Sequence, residues 1–172
     1  MNRPQSDEYS EQHAEYVSLV PEEDILAAIA EQSTDTQKLL DTVDEAKAAY
    51  RYAAGKWSIK EVLGHIVDAE RIISYRLLAI ARGEVSPLPG FDENAYVENA
   101  GFDSWRLGDL AEHYAVVRRS NIVLLRNLPD AAWDRRGTAN GFSVTTRGLA
   151  WSLVGHERHH VKVLRERYLL GS

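Results

Sequence analysis

The sequence predicts an all-α fold, a four-helix bundle, and three observations lead to that prediction. Four long segments carry apolar residues at every third or fourth position, which is the spacing of an amphipathic helix. Strand-type alternation is weak along the chain, and FSVTT at residues 142–146 is the sole candidate for a strand. A long connection with two prolines and two glycines follows the second helix, which is typical of a bundle with a crossover.

Helix boundaries are predicted from capping residues and from proline and glycine. The predicted helices, numbered 1 to 4, span residues 21–43, 58–82, 104–128 and 143–169. Pro21 suits the first position of helix 1. Ser58 with Glu61 three residues later forms a capping-box pattern at the start of helix 2. Ser143 or Thr145 is the predicted cap of helix 4.

Composition indicates an ordinary globular protein and disfavours several classes of partner. We expect residues 1–20 to form an N-terminal arm and residues 21–172 to form one bundle domain. The net charge of −6 gives no electrostatic reason to expect nucleic acid or an anionic membrane as partner. The chain contains no cysteine, no apolar run of about 18 residues and no visible secretory signal, so we expect a cytoplasmic protein.

The segment HERHH at residues 156–160 matches the pattern H-E-x-x-H, which on a helix can mark a zinc protease. His156 and His160 fall on the same side of predicted helix 4 as Leu153, so we expect both rings to face the bundle interior. The protease pattern needs a third ligand farther along the chain. Glu166 stands where the nearby histidine ligand would be, and it is the sole acid after His160. The spacing therefore argues against a protease.

A third ligand is predicted upstream, at His65 on helix 2, because that residue lies close to the apolar stripe of its helix. Two histidines four residues apart and a third on a facing helix can hold one metal ion. The competing interpretation is a packed, hydrogen-bonded polar cluster without metal. His13 falls in the predicted arm, and His113 is predicted to lie at the rim of the bundle.

Two segments resemble the signatures of a known family. KWSIKEVLGHIVDAERIISYR at 56–76 and GHERHHVKVLRERY at 155–168 resemble helices of the DinB-like superfamily, which includes YfiT-type hydrolases and thiol-dependent transferases. The resemblance implies a bundle in up-down-down-up order with a long crossover between helices 2 and 3, often as a homodimer. It also implies the metal ligands His65, His156 and His160, the same residues that helical spacing selects.

An open site of three histidines predicts a divalent-metal-dependent enzyme that acts on a small molecule. One ion of Zn, Ni or Fe per chain would activate a water for hydrolysis or a thiol for S-transfer. Without cysteine, the thiol must come from a low-molecular-weight co-substrate. Asp68 and Glu157 are candidates for proton transfer or for orienting the ligands, although either could be a solvated surface group. The alternative function is a non-catalytic metal-binding or stress-linked helical binding protein.

Overall fold

The computed structural model describes residues 2–168 and 170, and it contains the four predicted long helices among several shorter elements. The α-helices are α1 (Ala14–Ser18), α2 (Ile25–Leu40), α3 (Glu45–Ala48), α4 (Ile59–Ala81), α5 (Glu93–Ala100), α6 (Leu107–Arg126), α7 (Asp130–Trp133) and α8 (Thr146–Arg167). Two 3₁₀ turns (Glu11–His13 and Phe102–Ser104) and two strands, β1 (Arg136–Ala139) and β2 (Phe142–Thr145), complete the chain. The predicted end of helix 4 at residue 169 lies outside the described residues, as do residues 171 and 172.

Contacts between helices establish the direction in which each long helix runs. Cross-helix hydrogen bonds connect Glu70 with Arg118, Ser74 with Asn121, Gln32 with Val154 and Thr36 with Glu157. Residue numbers rise together in these pairs, so α4 is parallel to α6 and α2 is parallel to α8. His65 contacts His160, whereas Leu77 lies near Leu153, so α4 and α8 are antiparallel. The bundle therefore has the predicted up-down-down-up order.

The core consists of two apolar clusters, one toward each end of the bundle. One cluster packs around Trp151, which is completely buried, and the other packs around Leu63 and Leu110. Buried polar and charged side chains from all four long helices lie between these clusters. A buried polar layer is costly unless its groups are bonded to one another, so its position indicates where the bundle departs from simple packing.

The N-terminal segment, expected to be an arm, contains helix α1 and packs directly on α8. Two glycines of α8 permit this close approach. A Cβ built on Gly155 would lie 2.0 Å from the backbone oxygen of Tyr16, and one on Gly148 would lie 2.0 Å from the backbone oxygen of Glu8. Val17 is buried against the bundle core. The segment is therefore part of the wall around α8.

A β-hairpin occupies the connection before α8, and its second strand lies within the predicted candidate FSVTT. Asn140 and Gly141 form its turn, both with positive φ (52° and 80°), which fits the Asn-Gly turns of two-residue hairpins. The crossover between α4 and α6 is attached to this hairpin. The Leu88 N–H donates to the Thr138 oxygen (2.8 Å), and the Asn140 N–H donates to the Leu88 oxygen (3.0 Å).

The outer side of α4 and α6 exposes apolar side chains. Tyr75 (58% exposed), Leu78 (39%) and Val116 (46%) line an open depression of about 320 Å³, the α4–α6 groove. Within the described part of the chain, no helix combines the length and apolar character that crossing a bilayer requires.

Candidate metal centre

Three histidine rings converge in the polar layer between α4 and α8. His65 comes from α4, and His156 and His160 lie one helical turn apart on α8. The Nε2 atom of His65 is 3.1 Å from the Nε2 atoms of both other rings, which are 3.2 Å from each other. His65 and His156 are buried, and His160 is half-buried. We call these residues the three-histidine cluster.

Hydrogen bonding alone cannot satisfy these three nitrogens. A bond between two imidazole nitrogens needs one that carries a proton and one that offers a lone pair. Each Nε2 is in one of these two states, so among three mutually adjacent atoms at least two are in the same state and repel. A cation that receives three lone pairs removes this conflict.

The spacing of the nitrogens fits one small transition-metal ion. Nitrogens about 2.0–2.1 Å from a common ion are about 2.9 Å apart in octahedral coordination and about 3.4 Å apart in tetrahedral coordination. The observed separations of 3.1–3.2 Å fall between these values. The cluster therefore has the donor type and the separations of a three-histidine metal site that leaves coordination positions open.

Burial keeps all three rings in the neutral form that can donate a lone pair. Desolvation lowers the pKa of His65 to about 4. Desolvation, reinforced by the neighbouring histidines, lowers the pKa of His160 to about 3 and that of His156 well below 6.5. At neutral pH the rings are thus unprotonated, which is the state that metal binding requires.

Glu157 lies beside the cluster in sequence, but its carboxylate is engaged in a separate buried network. It accepts hydrogen bonds from Thr36 (2.6 Å), Tyr114 (2.7 Å) and Arg118. The same Arg118 nitrogen donates to Glu70 (2.7 Å). Glu157 is thus not a solvated surface group, because its side chain is 1% exposed. Among the residues that the structure describes, no carboxylate hydrogen-bonds to a ring of the cluster.

Asp68 lies in a different group, on the α6 side of α4. It is half-buried, burial raises its pKa, and the nearby charges of His113 and Arg71 oppose that shift. Arg71 donates to the Nε2 atom of His113 (3.1 Å from its Nε), and His113 stacks on Trp105. The structure therefore brings together the three predicted metal ligands, while Asp68 and Glu157 each belong to another set of contacts.

Two cavities reach the cluster. The His160 cavity, about 250 Å³, is also lined by Trp57, whose ring centroid lies 4.9 Å from that of His65. The His156 cavity, about 160 Å³, is also lined by Tyr16, whose ring packs edge-on against His156 at 5.3 Å. A larger groove of about 410 Å³ between α2 and α8 contains none of the three histidines, so its size does not mark the site.

Comparison with known proteins identifies the family. The model of the DinB superfamily matches residues 28–164, which include all four long helices except the first turn of α2 and the last residues of α8. The chain belongs to the DinB superfamily. A search of curated protein sequences gave no significant match.

Solved structures share this fold at low sequence identity. YfiT from Bacillus subtilis, described as a probable metal-dependent hydrolase with an unusual four-helix bundle topology, aligns with a TM-score of 0.71 and 16% identity over 95% of this chain and 91% of its own. The mycothiol-dependent maleylpyruvate isomerase aligns with a TM-score of 0.67 and 17% identity over 80% of this chain. This chain covers 58% of the isomerase.

Neither the packing of the N-terminal segment on α8 nor the buried charge network was predicted from the sequence. A signal for the network was present, because Arg118 falls four residues after Tyr114 and three before Asn121, on the apolar stripe of its helix. A charged residue in such a stripe predicts a buried partner. No comparable signal marked Tyr16, because its position depends on how the N-terminal segment packs on α8.

Proposed function

We propose that the protein is a divalent-metal-dependent enzyme that acts on a small molecule, with one ion held by His65, His156 and His160. The observation that carries the proposal is the convergence of three Nε2 atoms within 3.2 Å. Burial supports the proposal, because it keeps the rings neutral and able to donate lone pairs. A second support is that, in the described part of the chain, no protein carboxylate hydrogen-bonds to these rings. Zinc, nickel and iron all suit imidazole ligands.

The bound ion would keep its full charge, because none of its ligands is anionic, and it would lower the pKa of a water or thiol at the site. The protein would hold the metal ligands in position and shield the cluster from water. Trp57 and Tyr16 cover two sides of the cluster with aromatic rings. The bonds of Glu157 to α2 and α6 fix α8 immediately next to His156, so we assign Glu157 a positioning role.

Two side chains are candidates for proton transfer. We keep Asp68 as the predicted proton-transfer group, since its raised pKa makes protonation easier, although its neighbours are Arg71 and His113. His159 is a second candidate, because it lines the His160 cavity and its Nδ1 lies 3.7 Å from Glu15. Replacing Asp68 by Asn and His159 by Gln separately would show which one shapes the pH dependence of turnover.

Of the two reaction types, S-transfer from a small thiol has the better structural support. Two cavities approach the cluster along different histidines, and a transfer between two molecules needs room for both. In such a transfer the thiol loses its proton, its sulfur bonds to the electrophilic carbon, and the leaving group departs. The fold of the isomerase, whose description names a thiol cofactor, is in keeping with this reaction. A thiol co-substrate also suits the reducing cytoplasm.

The test is metal-dependent turnover in a matched pair of proteins. Wild type and His65→Gln, each supplied with the same excess of Zn²⁺ or Ni²⁺, would be incubated with low-molecular-weight thiols and small electrophiles, while thiol loss and product are measured. We expect wild type to consume thiol and electrophile in equal amounts, and His65→Gln to be inactive. Product without thiol loss would indicate hydrolysis. Equal rates in both proteins would contradict a role for the cluster.

A non-catalytic metal-binding protein is the second candidate, favoured by the observation that no described carboxylate contacts the cluster as an acid or base. The two functions differ in what the metal does for stability. If metal removal unfolds the protein, the ion is structural. If the melting temperature falls only by the amount that ligand binding explains, the fold exists without metal and an enzymatic role gains support.

A further inference from the structure

Arg76 is a buried cation without an acidic partner. It is 5% exposed, and within the described residues no carboxylate lies within ion-pair distance of it. One of its Nη atoms donates to the Pro89 oxygen (2.6 Å), and the guanidinium lies 5.9 Å from the centre of the Phe91 ring. These contacts use a minority of its five N–H donors. Burial lowers the pKa of Arg76, and no carboxylate counteracts the shift.

The lack of a carboxylate partner distinguishes Arg76 from Arg118, another buried arginine of this protein. Arg118 is also buried, and it is paired with two carboxylates, those of Glu70 and Glu157. A buried charge is costly unless it is paired, and the cost is several kcal/mol in general. An arginine that is buried without a carboxylate partner is therefore suited to an anion that comes from outside the chain.

The surroundings of Arg76 give that anion a place beside the cluster. Arg76 lines the His156 cavity together with His13, Asn140 and Glu93. Burial lowers the pKa of His13, and the nearby positive charge of Arg76 lowers it further. Glu93 is the one carboxylate on the described wall of this cavity, and it is exposed and not paired with Arg76. The buried charge of the cavity is therefore that of Arg76, whereas its carboxylate is exposed, and His156 lies on the same wall.

We propose that the His156 cavity is an anion subsite in which Arg76 binds a carboxylate group of the substrate. This proposal deepens the proposed function, since the rest of the substrate would extend past His156 to the cluster. The volume of about 160 Å³ corresponds to about five water molecules, which suits a short carboxylate arm. A doubly charged phosphate would be matched poorly by a single guanidinium, so a carboxylate is the better fit.

The test is binding of propionate to metal-free protein, followed through the Nε–Hε signals of the arginines by NMR. The Arg76 signal is assigned with Arg76→Lys. We expect propionate to shift that signal to saturation and the uncharged analogue propionamide to leave it unchanged. Loss of a charge-assisted bond predicts that the affinity of Arg76→Gln, followed through backbone amide signals because the variant has no Arg76 signal, is about tenfold lower or more. An Arg76 signal that is unmoved by propionate in wild type would overturn the proposal without any variant.

Two further variants serve as controls. Arg71→Gln removes an arginine from the same helix whose guanidinium bonds to His113 outside the cavity, and it should leave the affinity unchanged. Glu93→Gln removes the competing carboxylate and should raise the affinity. Methylphosphonate is titrated in parallel, and tighter, Arg76-dependent binding of this probe would overturn the assignment to a carboxylate.

The outcome separates this proposal from the proposed function. Propionate binding is repeated in His65→Gln, where the Arg76 contacts are intact. If wild type binds no metal but binds propionate through Arg76, the subsite stands and the proposed function fails. If wild type binds metal but propionate binds Arg76→Gln equally well, the subsite alone fails.

Discussion

Removing the guanidinium of Arg118 tests whether the buried charge network holds the bundle in register beside the candidate metal centre. Arg118→Gln removes bonds to Glu70 and Glu157, and leaves two carboxylates buried without a cation. Each charge-assisted bond contributes about 1.5–3 kcal/mol, so the two together amount to about 3–6 kcal/mol. This range overlaps the cost of about 3–5 kcal/mol for removing one partner of a buried ion pair.

The assay is urea unfolding of metal-free protein, followed by the fluorescence of the buried tryptophans. An unpaired buried carboxylate should take up a proton in the folded state at a higher pH than in the unfolded chain. The folded variant then binds more protons, so its stability loss should be smaller at pH 5.5 than at pH 8. Arg119→Gln, at an exposed neighbouring position, should change stability by less than about 0.5 kcal/mol. A loss below about 1 kcal/mol in Arg118→Gln at both pH values would refute the reasoning.

Three other predictions follow from the same structure. Gly155→Ala should push the backbone of Tyr16 away from α8 and make the N-terminal segment more sensitive to protease, whereas Gly108→Ala, with open space around it, should not. The lowered pKa values of the three-histidine cluster mean that the unfolded chain binds more protons between pH 6.5 and about 4. The metal-free protein should therefore lose stability as pH falls through that range, and replacing all three histidines by Gln should flatten this dependence in urea unfolding. We predict a homodimer through the α4–α6 groove, so Val116→Glu should halve the mass measured by light scattering, and a monomeric wild type would contradict this.

The long helices were predictable because their apolar spacing and caps agree. The capping box of Ser58 and Glu61 is present at the start of α4 as predicted. Thr145, one of the two predicted caps of helix 4, accepts a bond from the Gly148 N–H. Ser143 instead lies in β2, because the chain forms a hairpin up to the first turn of α8.

Helix starts were less accurate where two local signals competed. Helix 1 was expected to begin at Pro21, but α2 begins at Ile25 because the Asp24 side chain accepts from the N–H groups of Leu26 and Ala27. The hairpin was missed although Asn140 and Gly141 carry a recognised turn signal. Its flanking strands have four residues each, too few for alternation to be visible.

The sequence predicted the three histidines of the candidate site, but it did not predict the side chains that surround them. Helical spacing places His156 and His160 on one side of their helix, so a facing histidine was enough to identify the cluster. Which side chains line its cavities depends on packing between segments distant in the chain. Tyr16 and Arg76 meet His156 in one cavity although about 60–140 residues separate the segments, and no periodicity indicates this.

The most direct test of the central claim is calorimetric titration of Zn²⁺ into metal-free protein, with elemental analysis of the product. We expect one ion per chain in wild type, and loss of binding in His65→Gln, His156→Gln and His160→Gln. His159→Gln, which replaces the neighbouring histidine on α8, should bind like wild type. Binding that survives in the three cluster variants, or a wild type that binds no Zn²⁺ or Ni²⁺, would contradict a metal centre at these histidines.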